Sequence, residues 1–207
     1  MTGTIILAAG ASTRLGRPKQ LLLYNNKSLL QHAIDAAVTV SKQDTIVVLG
    51  ANAELIQPQV KPAEAGVVIN ENWEEGMGSS IRTGLSALLQ LNEKLDDVII
   101  MLADQPFVNG DLLKNLQEKK RNTGKEIVAC FYKEQPGVPA LFGSKFFTEL
   151  LSLQSAEGAK KLFFAFPESV ATVPFPFGSI DIDTMQDYNN LTSKENNFGK
   201  DFFNTWC

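Results

Sequence analysis

Residues 4 to 9, TIILAA, are apolar without interruption and stop at Gly10. So short and unbroken a run offers no polar face to water. It is the pattern of a parallel strand covered by helices on both sides. The loop that follows holds Arg14, Gly16, Arg17 and Lys19. From Met1 to Ile34 the chain carries four basic side chains, counting Lys27, and no carboxylate. The net charge of the whole chain is −4, so this basic interval is local. A buried strand emptying into a glycine-broken basic loop brings backbone N–H groups and cations together, which suits a small anion. Charge alone leaves an ordinary solvated loop as an equal reading; the absence of any acid across the interval favours function.

The pattern continues along the chain. Ser28 and Gln31 form an S-x-x-Q capping box ahead of a helix marked by Leu30, Ala33, Ile34, Ala37 and Val38. Thr45 to Leu49 and Gly66 to Ile69 read as further strands, with a short helix from Ala53 to Gln57 between them. Ile81, Leu85, Leu88 and Leu89 share one helical face, with Ser79 or Ser80 as the N-cap. Val98 to Ala103, VIIMLA, is the strongest strand signal and ends in Asp104-Gln105-Pro106; a helix spans Gly110 to Lys120. Ile127 to Tyr132 and Pro139 to Phe142 read as strands around a turn at Gln135 to Val138. Helices at Lys145–Leu151 and Ala156–Ala165, a strand at Val170–Val173 and a last helix capped by Thr184 and Asp187 complete the pattern.

Strands alternating with helices imply an α/β fold with a mostly parallel sheet wound on both faces. With 207 residues and no repeat or linker, one domain over 1–192 is expected. A tail over 193–207 should pack on the body or stay partly disordered. The acidic balance argues against a nucleic-acid partner, no apolar run is long enough to span a membrane, and without a leader-like N-terminus the cytoplasm is expected. Two cysteines, Cys130 and Cys207, are too few for a disulfide framework. Cys130 reads as a buried apolar residue and Cys207 as a mobile thiol.

Ligands of such sheets gather beyond the carboxyl ends of the strands. Three segments are expected there: the basic loop, Gly76-Met77-Gly78-Ser79-Ser80, and Asp104. The loop is neither G-x-G-x-x-G nor a Walker A sequence. Asp104 could hold a divalent cation, Mg²⁺ being the hard partner of phosphate oxygens, or could cap the next helix. Asp181 and Asp183 alternate along an extended segment, so at most one should face a metal. The glycine–serine segment could bind an anion or a base edge at a helix N-terminus, or could be a flexible loop with a good cap. His32 has no Ser or Cys nucleophile placed beside it, so a nucleophilic triad is not expected. Trp73, Phe146, Phe147, Phe163 and Phe164 read as packing residues.

Through LAAGASTRLGRPKQLL the chain resembles the nucleotidyltransferases related to molybdenum cofactor cytidylyltransferase and its guanylyltransferase cousin. Leu7, Ala8, Ala9, Gly10, Arg14, Leu15, Gly16 and Lys19 fill the family's first motif. The likeness continues through NENWEEGMGSSIRTG, LADQPFV, GVPALFGSKFF, SAEGAKKL and DIDTMQDY.

The resemblance implies a Rossmann-like three-layer α/β/α fold of the nucleotide-diphospho-sugar transferase type, a nucleoside triphosphate bound with Mg²⁺, and release of pyrophosphate. Leu7, Ala8, Ala9 and Gly10 would line the base and ribose pocket, and Arg14 and Lys19 would meet the triphosphate. Gly78, Ser79 and Ser80 would help read the base. Asp104 would bind Mg²⁺, with Asp181 as a second candidate ligand. LAAG with GMGSS resembles the cytidylyl branch, so CTP and a molybdopterin-like phosphorylated acceptor are expected, with a molybdoenzyme client or chaperone as a possible partner. A GTP-dependent enzyme of the same fold and a non-catalytic nucleotide-binding partner of a molybdoenzyme are the alternatives. Two positions depart from the family pattern. Val138 stands where many relatives have His, which bears on the second substrate, and Met185 replaces a Pro at the last helix start.

Overall fold

The computed structural model describes residues 1–154 and 156–193. The expected tail, apart from Ser193, lies outside the described residues, as do Cys207 and Ser155 of the SAEGAKKL motif. The elements in chain order are β1 (Thr2–Leu7), the short pair β2 (Leu23–Tyr24) and β3 (Lys27–Ser28), α1 (Leu29–Ser41), β4 (Thr45–Leu49), α2 (Ala53–Ile56) and β5 (Gly66–Ile69). They continue with α3 (Met77–Leu91), β6 (Asp97–Leu102), α4 (Gly110–Thr123), β7 (Ile127–Tyr132) and β8 (Gln135–Gly143). The last are α5 (Phe147–Leu151), α6 (Lys160–Ala165), β9 (Val170–Pro174) and α7 (Met185–Ser193).

Seven strands form one sheet in the order β5-β4-β1-β6-β8-β7-β9. The pairs β5–β4, β4–β1, β1–β6 and β7–β9 are parallel, and only β8 runs against its neighbours. The sheet is therefore mostly parallel, as the alternating pattern predicts. Strand parity separates the two faces. Ile6, Val47, Leu49, Ile99, Met101, Val128 and Leu141 pack under residues of α1 and α4. Ile5, Ile46, Val48, Val98, Ile100, Ile127 and Phe142 pack under α3, α5 and α6. Burying both faces in this way gives three layers. A smaller third cluster (Leu15, Leu22, Leu29, Ile182 and Leu191) docks α7 against the basic loop.

Local differences from the sequence pattern have physical causes. The β7–β8 turn falls at Lys133-Glu134, both left-handed at φ 49° and 60°, and not at Gln135–Val138. The Pro-Gly signal belongs instead to a bulge, since Cys130 pairs with Gly137 while Ala129 pairs with Ala140. Helix α3 starts at Met77 with Gly76 as its N-cap, so Ser79 and Ser80 lie inside the first turn and neither caps it. Gly76 has φ 120°, a backbone conformation that side-chain-bearing residues rarely adopt. Only half of the Ser28 box forms: Ser28 Oγ accepts from Gln31 N at 3.1 Å, while the Gln31 amide turns to Asp35 and Glu64. The α7 box is complete, because Asp187 accepts from Thr184 N at 2.8 Å and Thr184 Oγ1 accepts from Asp187 N at 3.2 Å. No helix of the described residues is long and apolar enough to cross a membrane.

Candidate active site

Strands β1 and β6 lie side by side at the middle of the sheet, with Leu7 opposite Leu102. Parallel neighbours end at the same edge, so the loops after them meet there. A cavity of about 350 Å³ opens at this edge, lined by Leu7, Ala8, Ala9 and Gly10 from the first loop and by Leu102, Ala103 and Asp104 from the second. Lys19, Gln20, Trp73, Glu74, Gly76, Met77 and Ser80 complete its wall.

The loop between Gly10 and Lys19 folds back on itself. Leu15 N donates to Ser12 O at 2.9 Å, Lys19 N donates to Ser12 Oγ at 3.1 Å, and Gly16 takes the turn at φ 68°. Leu15 is buried in the α7 cluster, which anchors the middle of the loop. The fold-back returns the Lys19 side chain to the end of β6. Its ammonium donates to Asp104 Oδ2 at 2.5 Å and to Asp183 Oδ1 at 2.8 Å. Arg14 takes the other oxygen of Asp183 at 2.7 Å. Arg17 turns away and lies over the Tyr188 ring of α7.

Burial alone would lower the Lys19 pKa, but the carboxylates of Asp104 and Asp183 outweigh it and hold the ammonium above its ordinary value. Lys19 in turn holds Asp183 below the usual carboxylate range. Burial pushes the Asp104 carboxyl up. The cause is visible in its partners: Oδ2 has the ammonium, while Oδ1 is buried with no hydrogen bond. A buried carboxylate oxygen without a hydrogen bond, on a residue that lines the cavity, is one that a divalent cation would relieve, so the site's chemistry fits one. Among the described residues, no group of three Asp, Glu, His or Cys side chains is gathered into a ready-made metal cage. A cation here would have to complete its shell with ligand oxygens.

The residues named from the sequence are distributed unevenly about this cavity. Leu7, Ala8, Ala9, Gly10, Lys19, Ser80 and Asp104 line it, and Arg14 is tied to it through Asp183. Gly78 faces away from it: a Cβ there would lie 2.1 Å from Gln154 O. Ser79 is 1% exposed and braces the loop, donating to Gly76 O and Asn72 O and accepting from Asn70 Nδ2. Asp181 lines a neighbouring cavity of about 440 Å³, which shares Met77 and Leu102 with the first. His32 bonds Tyr24 O, outside the cavity. Phe146, Phe147 and Phe163 are core residues, whereas Phe164 is exposed.

Asp183, Gln20, Asn70 and Trp73 have roles that the sequence reading did not assign. Trp73 was expected only to pack; it does rest on Gly50, where a Cβ would come within 2.5 Å of it, but it also forms a cavity wall. Asn70, directly after β5, carried one readable signal: a polar residue at a strand's carboxyl end.

A three-layer α/β sheet with a basic loop, a buried aspartate and a cavity at the central strand ends defines an α/β protein with a candidate ligand site at its sheet edge. The chain matches the MobA-like NTP transferase domain over residues 4–170 and belongs to that family. It is 36% identical over 103 residues to nicotine blue oxidoreductase of Paenarthrobacter nicotinovorans, a stretch covering 49% of this chain and 48% of that protein. The match thus spans about half the length of that curated relative. Among solved structures it is similar to Rv0371c of Mycobacterium tuberculosis H37Rv (29% identity, TM-score 0.77, 93% of this chain and 97% of that one). A second structure of Rv0371c is a complex with manganese (27% identity, TM-score 0.73, 93% and 98% covered). Molybdopterin-guanine dinucleotide biosynthesis protein A of Archaeoglobus fulgidus shares the fold at 18% identity and TM-score 0.64, over 93% and 97% of the two chains.

Proposed function

We propose that this protein is a divalent-metal-dependent nucleotidyltransferase that moves CMP from CTP to a molybdopterin-like phosphorylated acceptor, releasing pyrophosphate. The observation that carries the reading is the buried Asp104 at the cavity, with one oxygen on Lys19 and the other unpaired. Asp104 would hold the metal, Mg²⁺ by preference. Asp183 on the far side of Lys19 and Asp181 in the adjoining cavity are the candidate second carboxylates. The metal would offset charge on the phosphate oxygens. The manganese complex of Rv0371c supports a divalent ion in this family.

The protein's own groups would do the rest. Ala8, Ala9, Gly10 and Ser80 would seat the base and ribose, with Gly78 and Ser79 shaping the loop that carries Ser80. Lys19 and Arg14 would exchange Asp183 for the triphosphate, trading one anion for another. An acceptor phosphate oxygen would attack the α-phosphorus while the bond to the β-phosphate bridging oxygen breaks and pyrophosphate leaves. Positioning and charge neutralisation suffice for such a step, with no covalent nucleophile. The second cavity, which shares Met77 and Leu102 with the first, is the proposed acceptor site; Val138 lines it, and so the departure from His falls there.

Pyrophosphate release measured with CTP, GTP, ATP and UTP, with and without loaded molybdopterin and with Mg²⁺ or Mn²⁺, tests the reading. Release with CTP and the pterin supports it, and stronger release with GTP moves the protein to the guanylyl branch. No release with any nucleotide refutes transfer and favours a nucleotide-binding partner of a molybdoenzyme.

A further inference from the structure

Gln20 follows Lys19, is 1% exposed and lies along the cavity wall. Its amide nitrogen donates to two backbone carbonyls, Ala8 O at 2.7 Å and Gly10 O at 3.3 Å. Its carboxamide oxygen is buried and has no hydrogen bond. At so buried a position, an apolar side chain of the same length would fill the space with no orphaned oxygen of its own, but it would take these donors from the Ala8 and Gly10 carbonyls. Glutamine makes physical sense here only if the two donated bonds outweigh the orphaned oxygen.

Their consequence follows from peptide geometry. Across a trans peptide, the C=O of one residue and the N–H of the next point in opposite directions. Holding the Ala8 and Gly10 carbonyls therefore turns the N–H groups of Ala9 and Ala11 away from Gln20. Among the described residues neither N–H has a backbone acceptor, and Ala9 shares the cavity wall with Ala103 and Asp104. Ala9 O accepts from Ala51 N at 3.0 Å, which pins the segment from the β4 side as well. Gly10 has no neighbour within 4 Å of where a Cβ would be, so no side-chain packing holds this residue in place.

We infer that Gln20 is a positioning residue of the nucleotide site, fixing the peptides of residues 8 to 11 so that the Ala9 and Ala11 amides donate to oxygen acceptors of a bound nucleotide. This rests on reading the cavity as a nucleotide site, and it adds a residue that touches no reacting atom.

The test is Gln20→Met, which keeps length and removes both donors. CTP and GTP binding in the presence of Mg²⁺ is measured by calorimetry, and the Ala9 and Ala11 amide resonances are followed by NMR. The expected variant folds and binds nucleotide about ten-fold more weakly. In the parent both amide resonances shift when nucleotide is added; in the variant they do not. Affinity within two-fold of the parent in a folded variant overturns the inference. So do parent amides that stay still while nucleotide binds, a measurement that needs no variant. A parent that binds nucleotide yet releases no pyrophosphate refutes the transfer reading and leaves this one standing. A parent that binds neither nucleotide refutes both.

Discussion

Strand β6 begins at Asp97 and has Asp104 two residues past its end, and each sits in a cluster of the same chemical make-up. At its start Asp97 pairs with Lys120, which also meets Glu126 at 3.1 Å, and Glu126 takes Lys145 at 2.8 Å. Just past its end Asp104 pairs with Lys19, which also meets Asp183, and Asp183 takes Arg14. Each is a lysine shared by two carboxylates, with a second, exposed cation outside. The Asp104 cluster differs in having a buried carboxylate oxygen with no hydrogen bond, on a residue that lines a cavity. Among the described residues, neither Asp97 nor Glu126 has such an oxygen. The same ion-pair chemistry serves structure at the closed end of the strand. At the open end it leaves charge available for a ligand.

Substitutions at matched positions test that contrast. The largest expected effect is Asp104→Asn, which should lower pyrophosphate release by about 10³-fold or more. Its thermal unfolding should stay within about 3 °C of the parent, the span of about 1 kcal/mol in a domain this size. The matched Asp97→Asn should keep turnover within about two-fold and instead lower the unfolding temperature by about 2–4 °C. An inactive Asp97→Asn, or an active Asp104→Asn, breaks the comparison. Next, Lys19→Met should cost about 10²-fold in kcat/KM, whereas Lys120→Met should be read out only in the melting curve.

The outer cations should differ more gently. Arg14→Ala is expected to raise KM for the nucleotide about ten-fold with a smaller change in kcat, as loss of one charge-assisted contact would. Lys145→Ala should leave KM alone and move the melting temperature by about 1 °C or less, because the lysine side chain is exposed and Glu126 keeps Lys120. The smallest effect concerns acid. Lys145, then Lys120, hold the Glu126 carboxyl below its usual range. A folded pKa below the unfolded one contributes stability that is present above the unfolded value, about 4.3, and is lost as pH falls through the folded value. Melting temperatures of Glu126→Gln against the parent should therefore converge as pH drops from about 5 to 3.

Much of this architecture could be read from residue order. Strands β4 and β5 have the expected bounds, because continuous Val, Ile and Leu between polar breaks admit little else. The basic loop, the glycine–serine helix start and Asp104 do converge at one sheet edge. The β7–β8 turn was not legible, since Lys133-Glu134 lacks the Asn or Gly that usually marks two left-handed residues, while Pro136-Gly137 imitated a turn from inside a bulge. Ser79 and Ser80 look like caps in sequence; the glycine that reverses the chain sits three residues before Ser79 and took that place.

Side-chain partnership was the least visible part. Asp183 and Asp181 are equivalent as letters two apart. Only the docking of α7 through Ile182 and Leu191 puts Asp183 on Lys19 and leaves Asp181 facing the other cavity. Gln20 has no motif of its own, and its two bonds exist because the chain doubles back between Gly10 and Lys19.

The sequence alone determined the layered α/β class and the end of the sheet that carries the site, because apolar periodicity and glycine breaks act through local backbone preference and burial. The tertiary structure decided which carboxylate meets which cation and which oxygen is left unpaired. Those outcomes depend on contacts between residues 85 to 169 positions apart, and no local preference encodes them.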